Sequence, residues 1–321
     1  MSTQWDRCDV SQICEEHVLN LPGSLEGTEP ALKLSPVEAA MIFSAPSSEL
    51  VPYEVYAIRY ATVARRGSEN FIGGDPHDTL EHLDYFVWLA RNASRTFVID
   101  TGFNEAAAGR RRRNFLRSPV DGLKLLGVDA DAVENLVITH LHYDHIGNFD
   151  LFPKARFHLQ DSEMAFATGR HMAVRHFADA YELNEVVAMV RNVYAGRVEF
   201  HDGDAQLAQG FSVHHIGGHT AGLQAVRIWT RIGWLVLASD ATHLYANMSE
   251  QRPFPIVADV AGMADGWRKL RDLADAPEYI VPGHDPLVMQ RYQAPESALQ
   301  GIAVRLDAEP AKVPIGTPSD E

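Results

Sequence analysis

Cysteine is nearly absent: Cys8 and Cys14 are the two thiols in 321 residues, which excludes a disulfide framework as the basis of the fold. They stand six positions apart, a spacing that does not share one helix face, so they read as ordinary thiols rather than a metal pair. Long hydrophobic runs are missing too. No segment approaches the roughly 20 apolar residues of a spanning helix, and the polar start MSTQWDRCDVSQICEEH has no apolar centre of the signal-peptide kind. Basic charge is also in short supply. With 28 Lys and Arg against 43 Asp and Glu the net charge is -15, which repels phosphate backbones and anionic lipid surfaces. Nucleic acid and membrane are therefore not expected as partners, and a soluble, cytoplasmic chain is. Internal repeats, low-complexity segments and a phosphate-binding glycine loop are lacking as well; Gly73 and Gly74 read as a turn.

What is present is enough apolar material, 46 % of residues, for a sizeable core. Residues 1–50, with scattered Pro, Gly and Ser and weak periodicity, read as an N-terminal extension packing on the core. Residues 51–306 read as a catalytic domain, and residues 307–321 as a loose tail. VYAIRYATV (55–63), DYFVWLA (84–90) and RTFVID (95–100) are short, rich in β-branched and aromatic residues and bounded by turn formers, as strands are. SPVDGLKLLGV (118–128) has helical spacing after a Ser-Pro start and stops at Gly127, and ENLVIT (134–139) returns to a strand. Further strands are expected at 155–159, near 197–200, 211–216, 223–229 and 234–239, and in EYIVPG (278–283). A long helical stretch is expected near 161–194 and another helix over about 259–275. Strands interleaved with helices indicate an α/β chain with helical layers covering sheets.

The segment VITHLHYDHIGNF (137–149) sets His140, His142, Asp144 and His145 within six positions at the end of a strand. Buried imidazoles and carboxylates so close together need a partner. Three further candidates stand at strand ends beside glycines or apolar runs: His219 in HIGGHTAG (215–222), Asp240 in LVLASDATH (235–243) and His284 in YIVPGHD (279–285). Five histidines and two aspartates are too many for one tetrahedral zinc, but suit two metals that share a carboxylate and a hydroxide.

With its His-x-His-x-Asp-His run at 140–145, VIDTG (98–102), Gly218-His219, Asp240 and Gly283-His284, the chain resembles the metallo-β-lactamase superfamily over about residues 84–290. DTGFN, the Arg-rich stretch after it, GLKLLGVD, VITHLHYDHIGN and GGHTAG are similar to its N-acyl-homoserine lactone lactonase branch. The resemblance implies a four-layer αβ/βα sandwich of two mixed sheets and a possible homodimer. It also implies two divalent ions, Zn first and Mn, Fe or Co as alternatives. By it, His140, His142 and His219 hold one metal, Asp144, His145 and His284 the second, and Asp240 bridges both. The reaction implied is opening of a lactone or related small-molecule ester by a metal-bridging hydroxide. A thioesterase of the glyoxalase II kind, an amidase or β-lactamase, and a di-iron redox protein are the alternatives. The redox reading is disfavoured because His142 is intact and the chain has no room for a flavin domain.

One position departs from the branch. Where its lactonases commonly carry a tyrosine, three residues after the bridging aspartate, this chain has His243, which can donate the same hydrogen bond or act as a general acid. Tyr245 is a substitute, so Asp144, His243 and Tyr245 are the candidate catalytic residues. Asp100 is expected to support the metal loops through hydrogen bonds. The GRRRRNF run (109–115) could face an anionic substrate, but a charge run reads first as a solvated helix or loop face, and His158, His201, His214 and His215 read as packing or surface histidines.

Overall fold

A computed structural model describes residues 50–75, 77 and 80–313, so the expected N-terminal extension and the far end of the tail lie outside the described residues. The strands, in chain order, are β1 Glu54–Arg66, β2 Leu80–Arg91, β3 Thr96–Ile99, β4 Asn114–Phe115, β5 Asn135–Val137, β6 Arg156–Gln160, β7 Val198–His201, β8 Ala205–Ala208, β9 Phe211–His215, β10 Gln224–Thr230, β11 Gly233–Ser239, β12 Ile280–Pro282 and β13 Ala303–Arg305. One sheet runs β13-β1-β2-β3-β5-β6-β7 with β4 added on β1, and the other runs β12-β11-β10-β9-β8. Both are mixed. In the first, β3, β5, β6 and β7 are parallel and the long β1–β2 hairpin is antiparallel. In the second only β11 and β12 are parallel.

Alternation along the strands creates three apolar layers. Val55, Phe86, Trp88, Phe97 and Val137 of the first sheet meet Phe211, Val213, Ile228 and Leu237 of the second in a central core, where Phe97 stacks on Phe211 at 3.9 Å. The opposite face of the first sheet, with Ile58, Val87, Leu89 and Leu136, packs on Leu123, Ile146, Val186 and Met189 of helices. The opposite face of the second, with Ala225, Val236 and Ile280, packs on Met263, Trp267 and Leu270 of the helix Val260–Leu273. This is the expected four-layer αβ/βα sandwich. Among the described residues no helix is long and apolar enough to cross a membrane.

Local signals held where they were strong. Ser118 stands just before the helix Pro119–Leu125, which has Pro at its first position, and Gly127 follows at φ 75°. Two expectations are corrected. The helical stretch over 161–194 is broken into Asp161–Ala167, a 3-10 turn, Arg175–Ala178 and Leu183–Tyr194. A side chain at Gly169 would stand 2.7 Å from the Ala165 carbonyl, so the chain turns tightly there instead of continuing. The tail does not loosen at 307 either. Asp307 is buried and accepts hydrogen bonds from Val55 N and the Arg305 side chain, and Arg231 donates to its carbonyl oxygen.

Candidate metal centre

The seven expected ligands arrive from the C-terminal ends of β5, β11 and β12 and from the turn between β9 and β10, and all seven are buried. They form three overlapping groups whose ligand atoms lie within 4.8 Å of one another: His140 with His142 and His219, His140 with His145 and Asp240, and Asp144 with His145 and His284. Asp240 faces both sides. Its Oδ1 is 3.1 Å from His284 Nε2 and 3.5 Å from His145 Nε2, while its Oδ2 is 3.2 Å from His284 Nε2, 3.4 Å from His219 Nε2 and 3.9 Å from His140 Nε2.

The rings are oriented from behind. His145 Nδ1 donates to Asp100 Oδ2 at 2.7 Å, His219 Nδ1 to the Ile256 carbonyl at 2.6 Å, and His284 Nδ1 to the Asp84 carbonyl at 2.8 Å. Thr139 Oγ1 gives its proton to Asp100 and lies 3.1 Å from His140 Nδ1, which it can therefore serve as acceptor. Each of these four rings turns Nε2 inward, as metal-binding histidines do when their other nitrogen is held. His142 instead turns Nδ1 inward, 3.0 Å from His140 Nε2 and 2.9 Å from His219 Nε2. Three inward nitrogens spaced 2.9–3.2 Å apart approach the roughly 3.3 Å separation that tetrahedral zinc–nitrogen bonds impose. His145 Nε2 and Asp240 Oδ1 are buried with no hydrogen-bond partner. Nitrogen and carboxylate donors left unpaired in a buried cluster fit a pair of divalent cations.

The electrostatics agree. Burial, with neighbouring imidazoles, pushes His140 and His142 well below the usual histidine range, and burial also lowers His219. Burial works against the charged form of Asp240, yet His284, His145 and His243 hold its carboxyl well below the usual carboxylate range. His145 goes the other way: burial opposes its charged form, but Asp240, Asp100 and Asp144 hold its pKa well above the usual histidine range. The other three rings and the carboxylate thus stand in the protonation states a metal needs, and His145 gives up a proton to bind one.

Local backbone explains the motifs. Gly283 is required because a Cβ there would lie 2.6 Å from Asp240 Oδ1. Gly218, at φ 79°, lets the helix start at Val260 approach, since a Cβ would meet Met263 N at 2.5 Å. Asp100 plays the supporting part expected of it, accepting from Thr139 N at 2.7 Å as well as from His145 and Thr139 Oγ1.

His243 lines a cavity of about 400 Å3 beside the cluster. Its ring stacks on Phe254 at 3.6 Å, its Nε2 lies 3.0 Å from Asp240 Oδ2, and burial pushes its pKa down to about 3. Tyr245 is elsewhere. It opens the helix Tyr245–Ser249, packs in the central core under the Arg291 guanidinium and does not line the cavity, so it is corrected as a substitute for His243. The arginine run divides: Arg110 and Arg112 are exposed, while Arg111 and Arg113 line the cavity. Sequence reasoning missed Glu163 altogether. Fully buried on the helix Asp161–Ala167, it accepts from Leu141 N, Tyr181 Oη, Thr220 Oγ1 and Gly222 N, and so ties the His140–His142 loop to the His219 turn. Its only sequence signal was an acidic residue in a helical stretch.

A four-layer sandwich with five imidazoles and two carboxylates converging at its strand ends is the architecture of a metal-binding hydrolase fold. The chain belongs to the metallo-beta-lactamase superfamily, whose family model matches residues 82–284. It is 28 % identical over 221 residues to N-acyl homoserine lactonase AiiB of Agrobacterium fabrum, covering 62 % of this chain and 78 % of the relative. Among solved structures it matches an N-acyl homoserine lactone hydrolase with the product N-hexanoyl-L-homoserine at its catalytic metal centre. That match has a TM-score of 0.65 and 20 % identity over 77 % of this chain and 99 % of the other. The dizinc quorum-quenching lactonase AidC matches with a TM-score of 0.57 and 18 % identity, over 74 % and 89 % of the two chains.

Proposed function

We propose that the chain is a dinuclear metal-dependent hydrolase that opens a lactone of the N-acyl homoserine kind or a closely related ester. What supports the reading most is Asp240, whose carboxylate stands between the two ligand groups, within 3.5 Å of His145 and His284 on one side and 3.4 Å from His219 on the other. The 28 % identity to a named lactonase supports the lactone. We assign His140, His142 and His219 to one ion, Asp144, His145 and His284 to the other, and Asp240 to both. Such ions polarise a carbonyl and make water nucleophilic at neutral pH.

The remaining work belongs to the chain. Asp100, Thr139, Ile256 and Asp84 hold the imidazoles so that no reorganisation is needed when charge develops. Leu83, Pro255 and Ile256 line the cavity with apolar surface that excludes water. His243, clamped by Phe254 with Nε2 at the Asp240 carboxylate, is assigned to hydrogen-bond the substrate carbonyl or the departing oxygen. A second reading makes His243 a further ligand, since it also groups with His219 and Asp240. Zinc as the native metal, supported by the dizinc neighbour, a cytoplasmic location and a homodimer complete the proposal.

The test is a panel of homoserine lactones, simple lactones, thioesters and cephalosporins offered to zinc-, manganese-, iron- and cobalt-loaded protein. Ring opening of a lactone that is lost with chelator is expected; turnover of thioesters or cephalosporins alone would overturn the reading in favour of those alternatives. His243→Ala should lower kcat about 10²–10⁴-fold with both metals retained, whereas loss of a metal would make His243 a ligand. Sedimentation as a monomer at micromolar concentration would remove the homodimer.

A further inference from the structure

The cavity beside the metal centre is lined by three arginines and three aspartates, and two of the aspartates, Asp144 and Asp240, belong to the ligand cluster. In a chain of net charge -15, three arginines, Arg65, Arg111 and Arg113, face this one space. Arg111 is spent: it pairs with Glu182 at 3.0 Å, donates to the Asp179 carbonyl at 2.9 Å, and lies 3.8 Å over the Tyr143 ring. Arg113 is half spent, with Nε on Tyr143 Oη at 3.0 Å and Nη1 on the Arg111 carbonyl at 2.9 Å; its Nη2 has no partner among the described residues. Arg65 is half-buried, and its guanidinium has neither hydrogen bond nor ion pair among the described residues.

Register places these two groups together. β4 pairs β1 antiparallel with Thr62 opposite Asn114, so Arg113 falls beside Val63 and shares its sheet face with Arg65, two residues along. Across β2 the same face carries Leu83 opposite Val63 and Tyr85 opposite Ala61, and both line the cavity. Tyr85 feels both arginines: burial raises its hydroxyl pKa, and the charges of Arg65 and Arg113 act against that rise. Tyr85 Oη is 3.3 Å from Tyr143 Oη, Tyr143 precedes Asp144, and the Tyr85 ring meets the His284 ring edge-on at 5.1 Å. The free guanidinium edges therefore stand one tyrosine layer from Asp144 and His284. Of the other two acids on the cavity wall, Asp240 belongs to the ligand cluster and Asp179 is paired outward with Arg175.

We infer that the substrate carries a carboxylate remote from the bond that is cleaved, received by Arg65 and the Nη2 edge of Arg113; this rests on the hydrolase reading above. Guanidinium groups match carboxylate oxygens in pairs, and an unmatched charge against a neutral alkyl tail would lose water without recompense. The chain thus selects a different tail from the neutral hexanoyl group of the product in the structural neighbour.

The experiment compares two γ-lactones that differ only at a side-chain terminus, a carboxylate in one and its primary amide in the other, on zinc-loaded protein. The wild type should prefer the carboxylate by about 10- to 100-fold in kcat/KM, the worth of one or two charge-assisted hydrogen bonds. Arg65→Gln should erase most of that preference, and Arg65→Lys should retain part of it. Calorimetry with glutarate against glutaramate reads the same subsite without turnover. Tighter glutarate binding that depends on Arg65, without hydrolysis of either lactone, would keep the subsite and remove the hydrolase reading. Lactone hydrolysis with no carboxylate preference, or a preference that survives both Arg65→Gln and Arg113→Gln, would overturn the inference alone.

Discussion

Asp100 Oδ2 accepts from His145 Nδ1 at 2.7 Å, and Asp100 does so from left-handed backbone at φ 60°. Aspartate and asparagine tolerate that conformation better than most residues. Asp100→Asn therefore keeps the backbone but turns an amide NH2 onto one of the two sides that now accept, from Thr139 N or from Thr139 Oγ1 and His145. Metal affinity should fall about 10–100-fold, chiefly at the ion assigned to His145, as read by chelator competition. Unchanged affinity would remove Asp100 from its supporting role.

Asp240→Ala removes the one carboxylate shared by both groups. Elemental analysis after metal loading should fall from about two ions per chain to below one, while His219→Ala should lose about one. Two ions retained in Asp240→Ala would sink the bridging assignment.

Glu163 holds four donors from a site with no exposure. Glu163→Gln presents an amide to donors that need an acceptor, and should cost on the order of 3 kcal/mol of stability. Denaturant unfolding measures it. A loss under about 0.5 kcal/mol, within the range of ordinary surface substitutions, would show that the loops are held otherwise.

Burial, opposed in part by Glu199, pushes His158 down to about 4 from 6.5. The unfolded chain then binds a proton before the folded one does, so stability present above pH 6.5 is lost as pH falls toward 4. The loss is at most about 3 kcal/mol. His158→Gln, which cannot titrate, should flatten the fall of the melting temperature over that window. An equally steep fall would assign the acid sensitivity to another group.

The clustering of the seven candidate ligands was legible because each is tied to a local signal: a strand end or turn carrying His or Asp, with glycine where the backbone must pass close. Asp100 was legible for the same reason. The strands β4, β8 and β13 were not, being two to four residues long and defined by a pairing partner rather than by their own pattern. Asp307 and Tyr245 were misjudged because their roles depend on neighbours far along the chain, Arg231 with Val55 for one and Arg291 for the other.

By itself the sequence determined the ligand types, their order and their placement at strand ends, since these follow from short-range pattern and donor chemistry. Only the tertiary structure decided which side chains wall the reaction space. The β1–β4 pairing brings Arg113 to the cavity that Arg65 also lines, and the broken helical stretch brings Glu163 under two loops. Both are long-range contacts, set by the packing of whole sheets and layers.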